Sequence, residues 1–334
     1  MPARFTPEER FEYLKQFGSH CMAYSTLQPG MEYFDLPGVG YLAYMTQGKT
    51  LFVLGEPICA EADRVQLVGS ALSEHPVTCF VQVQTSTAHM LNDTFGFYAT
   101  QMGVEMRISL QSYGTSGVNK QHLRSALNRA KRNGIVVREL SPSEFDASQL
   151  ETISSEWMRS KANQRELRFL ARPAIWHDEP FVRKFFALAS GGTIMGYVFF
   201  SPLFAGGRVT GYVYDISRFI SDAPKGGDYT VTLEALGTFS SEGKTVLSLG
   251  LCPLARLTEH GHCENVATRW LLQSIAKFGN RFGTLLGRPG LYSFAGLYHH
   301  KAQYRAAEEP AFFASRSRLQ TVEVFKVMRL CGVI

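Results

Sequence analysis

Val209-Thr-Gly-Tyr-Val-Tyr-Asp215-Ile-Ser-Arg218 leads through Asp222-Ala-Pro-Lys-Gly226 to a helix-forming run over 229–242. Thr245-Val-Leu-Ser-Leu249 follows directly. β-branched and aromatic residues make the first and last pieces strands. Proline and glycine mark the turn between strand and helix. A strand, a turn, a helix and a second strand in direct succession point to an α/β fold.

The same alternation continues on both sides. Upstream, runs over 38–45 and 50–54 flank the turn Thr46-Gln-Gly-Lys49 and predict a hairpin. A helix is predicted over 60–74, strands over 76–83 and, briefly, 106–110. A helix over 120–133 stops at Gly134, and a strand over 135–139 follows. The segment Ser141-Pro-Ser-Glu-Phe-Asp146 changes the composition, which places a domain junction there: one domain over 1–143 and a second over 144–334. The second repeats the theme, with helices over 150–165 and 180–189 and strands over 193–200 and 208–214. The 229–242 helix, the 245–249 strand, a helix over 270–279 and a terminal strand complete it. Similar size and element order suggest two copies of one fold, although no residue-level repeat is visible.

Composition sets the class. Of 334 residues, 45% are hydrophobic and 19% charged, an ordinary globular balance. The net charge of +5, from 34 basic against 29 acidic residues, is too mild alone to imply nucleic acid. Six cysteines without C-x-x-C spacing suit a reducing cytoplasm. The N-terminus lacks the apolar core of a signal peptide. Residues 185–207 carry no charge and are long enough to cross a bilayer. Gly191-Gly192, Gly196, Pro202 and Gly206-Gly207 break that run, so it reads as a helix end, a strand and a turn. No transmembrane segment is expected.

Several stretches could carry chemistry. Leu123, Ala126, Leu127 and Ala130 form an apolar stripe on the 120–133 helix. Lys120, Arg124, Arg129, Lys131 and Arg132 cover its remaining faces without an acid, a pattern suited either to solvent or to a phosphate backbone. Glu156-Trp157 heads a helix that also carries Lys161, Arg165 and Glu166, a pattern common on solvated faces. Asp215 and Arg218 can converge at a strand end, where a mutual ion pair is the plain structural reading. Leu249-Gly250-Leu-Cys-Pro253-Leu permits a sharp turn beside a ligand. Phe294-Ala-Gly-Leu-Tyr-His-His300-Lys301-Ala-Gln-Tyr304, with Pro310 beyond, reads F-x-G-L-x-x-x-K-x-x-Y. Cys252, His260, His262 and Cys263 fit no standard zinc spacing, and no metal is expected. Neither G-x-S-x-G nor H-E-x-x-H occurs.

Taken in order, these motifs resemble the catalytic domain of the aminoacyl-phosphatidylglycerol synthases, the lysyl- and alanyl-transferases also called multiple peptide resistance factors. The similarity rests on L-R-x-x-x-N-R-x-x-R-x-G over 123–134, E-W at 156–157, D-x-x-R at 215–218 and D-A-P-x-G at 222–226. L-G-x-x-P-L at 249–254 and the 294–304 signature extend it, with Leu54-Gly-Glu-Pro57 in place of L-G-D-P. Tyr298, Gln303 and Glu308 depart from the family's usual arginine, lysine and tryptophan, and the changes at Tyr298 and Gln303 lean toward a non-phospholipid acceptor.

The resemblance implies tandem acetyltransferase-like (GNAT) domains, each a mixed sheet flanked by helices. It implies transfer of an amino acid from aminoacyl-tRNA to a hydroxyl or amine, on a phosphatidylglycerol-type lipid or a soluble small molecule. The ester is already activated, so no cofactor is expected. Asp215, Arg218 and Lys301 would be catalytic, with Asp215 accepting or orienting the acceptor proton, Arg218 fixing Asp215 or holding a phosphate, and Lys301 stabilising the oxyanion or binding the 3′-terminal phosphate. Lys161, Arg165, Glu166, Tyr214, Gly250, Pro253 and His300 would bind substrate. Lys120, Arg124, Arg129, Lys131 and Arg132 would hold tRNA. The expected location is the cytoplasm, free or peripheral at the inner face of the membrane. Two rivals are an acyl-CoA-dependent GNAT N-acyltransferase, against which the absent Q/R-x-x-G-x-G/A loop speaks, and a non-catalytic tRNA- or lipid-binding module.

Overall fold

The strands expected over 208–214 and 245–249 are neighbours in a twelve-stranded mixed sheet and run parallel. The computed structural model describes residues 4–160, 166–258, 263–285, 293–317 and 320–333. The first half contains α1 (Pro7–Phe17), β1 (Glu32–Leu36), β2 (Gly40–Gln47), β3 (Thr50–Leu54), β4 (Ile58–Cys59), α2 (Arg64–Glu74) and β5 (Thr78–Val83). It continues with α3 (Thr85–Phe95), β6 (Tyr98–Ser109), α4 (Gln121–Arg132) and β7 (Val136–Glu139). The second half contains α5 (Ala147–Arg159), β8 (Arg183–Leu188), β9 (Ile194–Ala205), β10 (Arg208–Phe219), α6 (Gly227–Ser241) and β11 (Val246–Pro253). It ends with α7 (Val266–Leu285), α8 (Phe294–Ala302), β12 (Ala307–Ser315) and α9 (Thr321–Leu330).

Across the sheet the order is β1-β2-β3-β5-β12-β6-β11-β10-β9-β8-β7, with β4 beside β2. Two pairs among the described residues are parallel: β3 with β5, joined through α2, and β10 with β11, joined through α6. The remaining pairs are antiparallel. The β6–β11 pairing joins the two halves edge to edge. β12 returns from the end of the chain to lie between β5 and β6, and β7 pairs forward with β8. The mixed sheet flanked by helices is the class read from the sequence.

Helix α6 lies on one face, buried around most of its circumference: Val231, Ala235 and Phe239 have no accessible surface. Helix α4 packs over it, with Ala126 against Gly226. The opposite face of the central strands is covered by α7 and α9, through a cluster that includes Phe52, Val213, Leu272, Phe313 and Val327.

Three sequence expectations differ from the fold. Residues 180–189 do not form a helix. Arg183–Leu188 is a strand in a hairpin with β9, closed by Ala189 N–H to Thr193 O at 2.9 Å. Both faces of β8 are buried, Phe185 against Phe200 and Phe239 and Phe186 against Tyr197 and Phe199. An uninterrupted apolar run of this kind has no strand periodicity to read. The short strand at 106–110 is the end of the twelve-residue β6, a central strand that hides its alternation in the same way. The chain also does not end on its last strand, because α9 follows β12. Among the described residues, no helix is long and apolar enough to cross a membrane.

Candidate active site

From Gly211–Val246 to Val213–Ser248, β10 and β11 keep a parallel register. Beyond it both strands bulge. β10 shifts against β9 around Asp215, and β11 shifts against β6 between Ser248 and Leu251. A bulge bends its strand and re-aims the side chains, so two adjacent bulges part the strands. A cavity of about 440 Å³ opens there, a size that suits a small ligand. Asp215, Arg218, Asp228, His300 and Lys301 line its polar part, and Met22, Met102, Leu254, Leu272 and Val327 its apolar part.

Gly250 is the pivot of the β11 bulge. Its φ of +73° is left-handed, where side chains are strained. A Cβ there would lie 3.7 Å from Lys301 Nζ and 3.8 Å from the Tyr214 carbonyl oxygen. The Gly250 N–H donates to Ser248 Oγ at 3.0 Å, and that hydroxyl donates to the buried Glu105 at 2.7 Å. The bulge thereby turns the Leu251 carbonyl toward Lys301 Nζ, 3.0 Å away. Lys301 occupies the last turn of α8 and is buried. Burial pushes its ammonium below the usual lysine range, against the opposing pull of Cys252, Cys21 and Glu105.

His300 stands beside it. Its Nε2 is 3.1 Å from Asp228 Oδ2, and its ring stacks on Tyr229 with centroids 4.5 Å apart. Burial pushes His300 below the ordinary histidine value despite the pull of Asp228, and Lys301 and His122 add to the depression. A neutral imidazole that donates Nε2–H to a carboxylate keeps a lone pair on Nδ1. This is a base with an orienting group. Asp228 itself lies in the first turn of α6, where the helix dipole favours a carboxylate.

Asp215 is engaged differently. Its Oδ2 accepts from Arg172 Nε at 2.9 Å and from Ser201 Oγ at 2.6 Å. Arg172 is buried and forks onto Glu179 at 2.9 and 3.1 Å. The cation beside Asp215 is therefore Arg172, from the irregular 166–182 stretch. Arg218 lies 3.7 Å above the Trp157 ring and 3.6 Å from Glu166. Glu166 also accepts the Ala174 N–H at 3.2 Å. Tyr214, Gly250 and Pro253 line the cavity as well. Lys161 and Arg165 lie outside the described residues, as do His260 and His262.

The basic residues of α4 divide into two groups. Lys120 donates to the Gly114 carbonyl at 2.6 Å and lies over Tyr113, and Arg124 donates to Thr115 and Gly117 carbonyls. Arg129, Lys131 and Arg132 are exposed at the other end, Arg129 reaching the Lys225 carbonyl at 3.2 Å. None of the five lines the cavity.

Among the described residues, one trio could bring metal-ligating atoms together: His20, Cys21 and Glu105, within 4.8 Å of one another. In it His20 Nδ1 accepts the Met22 N–H at 3.2 Å, which leaves the ring proton on Nε2, facing Cys21 Sγ. Burial raises the Cys21 thiol well above its ordinary value, and Glu105 adds to the rise. A metal needs the imidazole lone pair and a thiolate, whereas here the Nδ1 lone pair is taken by the Met22 N–H and burial holds the Cys21 thiol protonated.

None of the three departures from the family pattern lines the cavity. Tyr298 donates to Glu308 at 2.8 Å, Arg256 bridges both, and Gln303 turns back to the His299 carbonyl. The lean toward a soluble acceptor rested on these positions and loses that support.

Sequence reasoning missed Arg172, Ser201, Glu179 and Asp228. Arg172 lies in a stretch without periodicity. Asp228 is legible as the acid directly after the glycine that opens α6.

Residues 11–315 match the family described as phosphatidylglycerol lysyltransferase, C-terminal. The phosphatidylglycerol lysyltransferase of Bacillus subtilis (strain 168) is 24% identical over 336 residues, covering 98% of this chain and 37% of that protein. The chain thus spans little more than a third of the length of that relative. The solved structure of L-PGS from Bacillus licheniformis aligns with a TM-score of 0.79 at 21% identity, over 98% of this chain and 97% of that one. The C-terminal domain of a putative lysylphosphatidylglycerol synthetase from Agrobacterium fabrum aligns at 0.75 and 18% identity, with the same coverages. Acetyltransferase-like chains stand further off, a tandem GNAT protein of clavulanic acid biosynthesis at 0.44, 10% identity and coverages of 88% and 86%.

Proposed function

The chain belongs to the phosphatidylglycerol lysyltransferase C-terminal family, and from that premise we propose that it moves an aminoacyl group from aminoacyl-tRNA to a hydroxyl of a phosphatidylglycerol-type lipid. The observation that carries the reading is one cavity holding an oriented base, a buried lysine and an apolar wall.

The acceptor hydroxyl gives its proton to His300 Nδ1 as its oxygen attacks the ester carbonyl. Asp228 holds the imidazole and stabilises the cation that forms. Lys301 faces the developing oxyanion, in surroundings where a positive charge is worth more than in water. The bond from the carbonyl carbon to the ribose oxygen then breaks, and His300 returns the proton to that oxygen. Asp215 was assigned the proton at the sequence level. With Oδ2 occupied by Arg172 and Ser201, it is better suited to receive the α-ammonium of the aminoacyl group through Oδ1. Arg218, flat against Trp157, suits a phosphate. The exposed end of α4 supplies charge for the tRNA backbone.

An acyl-CoA donor would bring a pyrophosphate to a helix N-terminus. That of α6 carries Asp228 in its first turn, which opposes an anion.

The test is incubation of the chain with a charged total-tRNA pool and phosphatidylglycerol, followed by mass spectrometry of lipid and aqueous fractions. An aminoacylated lipid that depends on intact aminoacyl-tRNA supports the proposal. Acylation that needs acetyl-CoA, or no product in either fraction, refutes it.

A further inference from the structure

Helices α7 and α9 wall the apolar part of the cavity from outside. Leu272 and Ile275 of α7, and Val324 and Val327 of α9, face inward. The outward faces are also apolar. On α7, Val266 and Trp270 are exposed, Trp270 at 65%. On α9, Val322 and Phe325 are exposed at 57% and 48%. Spacings of four and three residues put each pair on one side of its helix. Phe325 and Val322 also border a shallow groove against the β2–β3 turn at Gln47 and Gly48.

The charge beside these side chains is mostly basic. Lys277 lies 5.3 Å from the Phe278 ring, Arg329 is exposed, and Lys326 reaches Thr50 at 2.9 Å. Arg269 of α7 is paired with Glu264. Glu323, half-buried, is the one acid among the described residues of the two helices. Exposed tryptophan and phenylalanine flanked by lysine and arginine are the composition of a surface seated at the headgroup level of an anionic bilayer.

We propose that the outer face of α7 and α9 docks on an anionic lipid surface, with Trp270 and Phe325 inserted and Lys277 and Arg329 at the phosphates. Docking there sets the lipid against the two helices whose inner faces form the apolar cavity wall. A lipid acceptor then has a short route from bilayer to site. The inference deepens the lipid-acceptor reading and rests on it, but docking can be measured without any transfer.

The experiment is co-sedimentation of the 334-residue chain with vesicles of phosphatidylcholine alone or mixed with phosphatidylserine, an anionic lipid that is not the proposed acceptor. Binding to the mixed vesicles should exceed binding to phosphatidylcholine by about tenfold or more. Trp270→Glu with Phe325→Glu, and separately Lys277→Glu with Arg329→Glu, should each remove most of that binding. Transfer to a detergent-dispersed acceptor should stay within about twofold of the parent, because none of these residues lines the cavity. The proposal is overturned if the parent ignores both vesicle types, or if the variants bind as it does. It is equally overturned if the substitutions instead dissolve a dimer in sedimentation velocity, which would make the face a contact between copies. Docking without transfer would sink the functional reading alone.

Discussion

The chain contains the same device twice, a pair of parallel strands joined by a helix, and only one copy is open. In β3–α2–β5 the chain leaves the ladder at Gly55, left-handed at φ +67°, whose N–H returns to the Val81 carbonyl at 2.8 Å. The next residue, Glu56, is buried and fully spoken for. It accepts the Gln84 N–H at 2.7 Å and the Thr87 hydroxyl, and pairs with Arg64 at 3.3 Å. In β10–α6–β11 the strands part at two bulges, and the polar groups around the gap are only partly matched to one another. Lys301 meets a carbonyl where a carboxylate could have stood, and His300 has a base nitrogen to spare. The first unit uses its charges to close a strand end. The second leaves them facing the cavity, and the buried, imperfectly paired Lys301 costs stability as a result.

The largest difference should come from removing the central charge of each unit. Lys301→Met is expected to lower transfer by about 10²–10³-fold. It should leave stability at neutral pH unchanged or raised by up to about 4 kcal/mol, since an imperfectly paired buried charge disappears. Glu56→Ala should do the reverse, losing a few kcal/mol by leaving the half-buried Arg64 without its carboxylate and the Gln84 N–H and Thr87 hydroxyl without an acceptor, with transfer per folded molecule retained. Denaturant melts and single-turnover rates on both variants separate the cases. The pH dependence gives the sign. Lys301 has a folded-state value below its ordinary 10.5. Between the two values the unfolded chain holds a proton that the native chain lacks, so this contribution to stability rises with pH. The advantage of Lys301→Met should therefore shrink in alkaline buffer.

The two left-handed glycines sharpen the contrast. Gly250→Ala and Gly55→Ala should each cost about 1–3 kcal/mol from backbone strain. Only Gly250→Ala should also lower kcat, because it moves the Leu251 carbonyl and Lys301 together. Equal losses of kcat would remove the distinction between the units.

A smaller effect is expected in the pH–rate profile. His300 must be neutral to take the proton, and its value lies below 6.5. Transfer should fall on acidification below that pH, and fall again in alkaline buffer as Lys301 loses the proton that faces the oxyanion. Asp228→Asn removes a group that raises the value, so the acid limb should move further down while the plateau drops.

The least effect is expected at the exposed end of α4. Lys131→Glu with Arg132→Glu should raise KM for tRNA several-fold at low salt, with the difference from the parent shrinking as salt rises, and change stability by less than about 0.5 kcal/mol. An unchanged KM would take this helix out of tRNA binding.

Much of the open unit was readable from sequence. Val209–Tyr214 reads as a strand because its β-formers are interrupted only by Gly211, and Gly250 with Pro253 announces a sharp turn. The apolar stripe of α4 was legible for the same reason, as Leu123, Ala126 and Ala130 are buried on schedule. The partner of Asp215 was not. Arg172 comes from forty-three positions upstream, through a stretch without periodicity, and only the folded chain brings it to 2.9 Å. Strand β8 was misread because burial on both faces erases alternation. His300 was picked out as a binding residue, but its pairing with Asp228 depends on how α6 and α8 meet, which no local pattern encodes.

The most direct test is a crystal structure of the chain with an amide-linked aminoacyl-adenosine, a stable stand-in for the tRNA 3′ end. Its carbonyl should lie in the opening between β10 and β11, against Lys301 and His300 Nδ1, with the α-ammonium at Asp215. Density for the analogue elsewhere on the molecule, with that opening left to solvent, would contradict the assignment of the site.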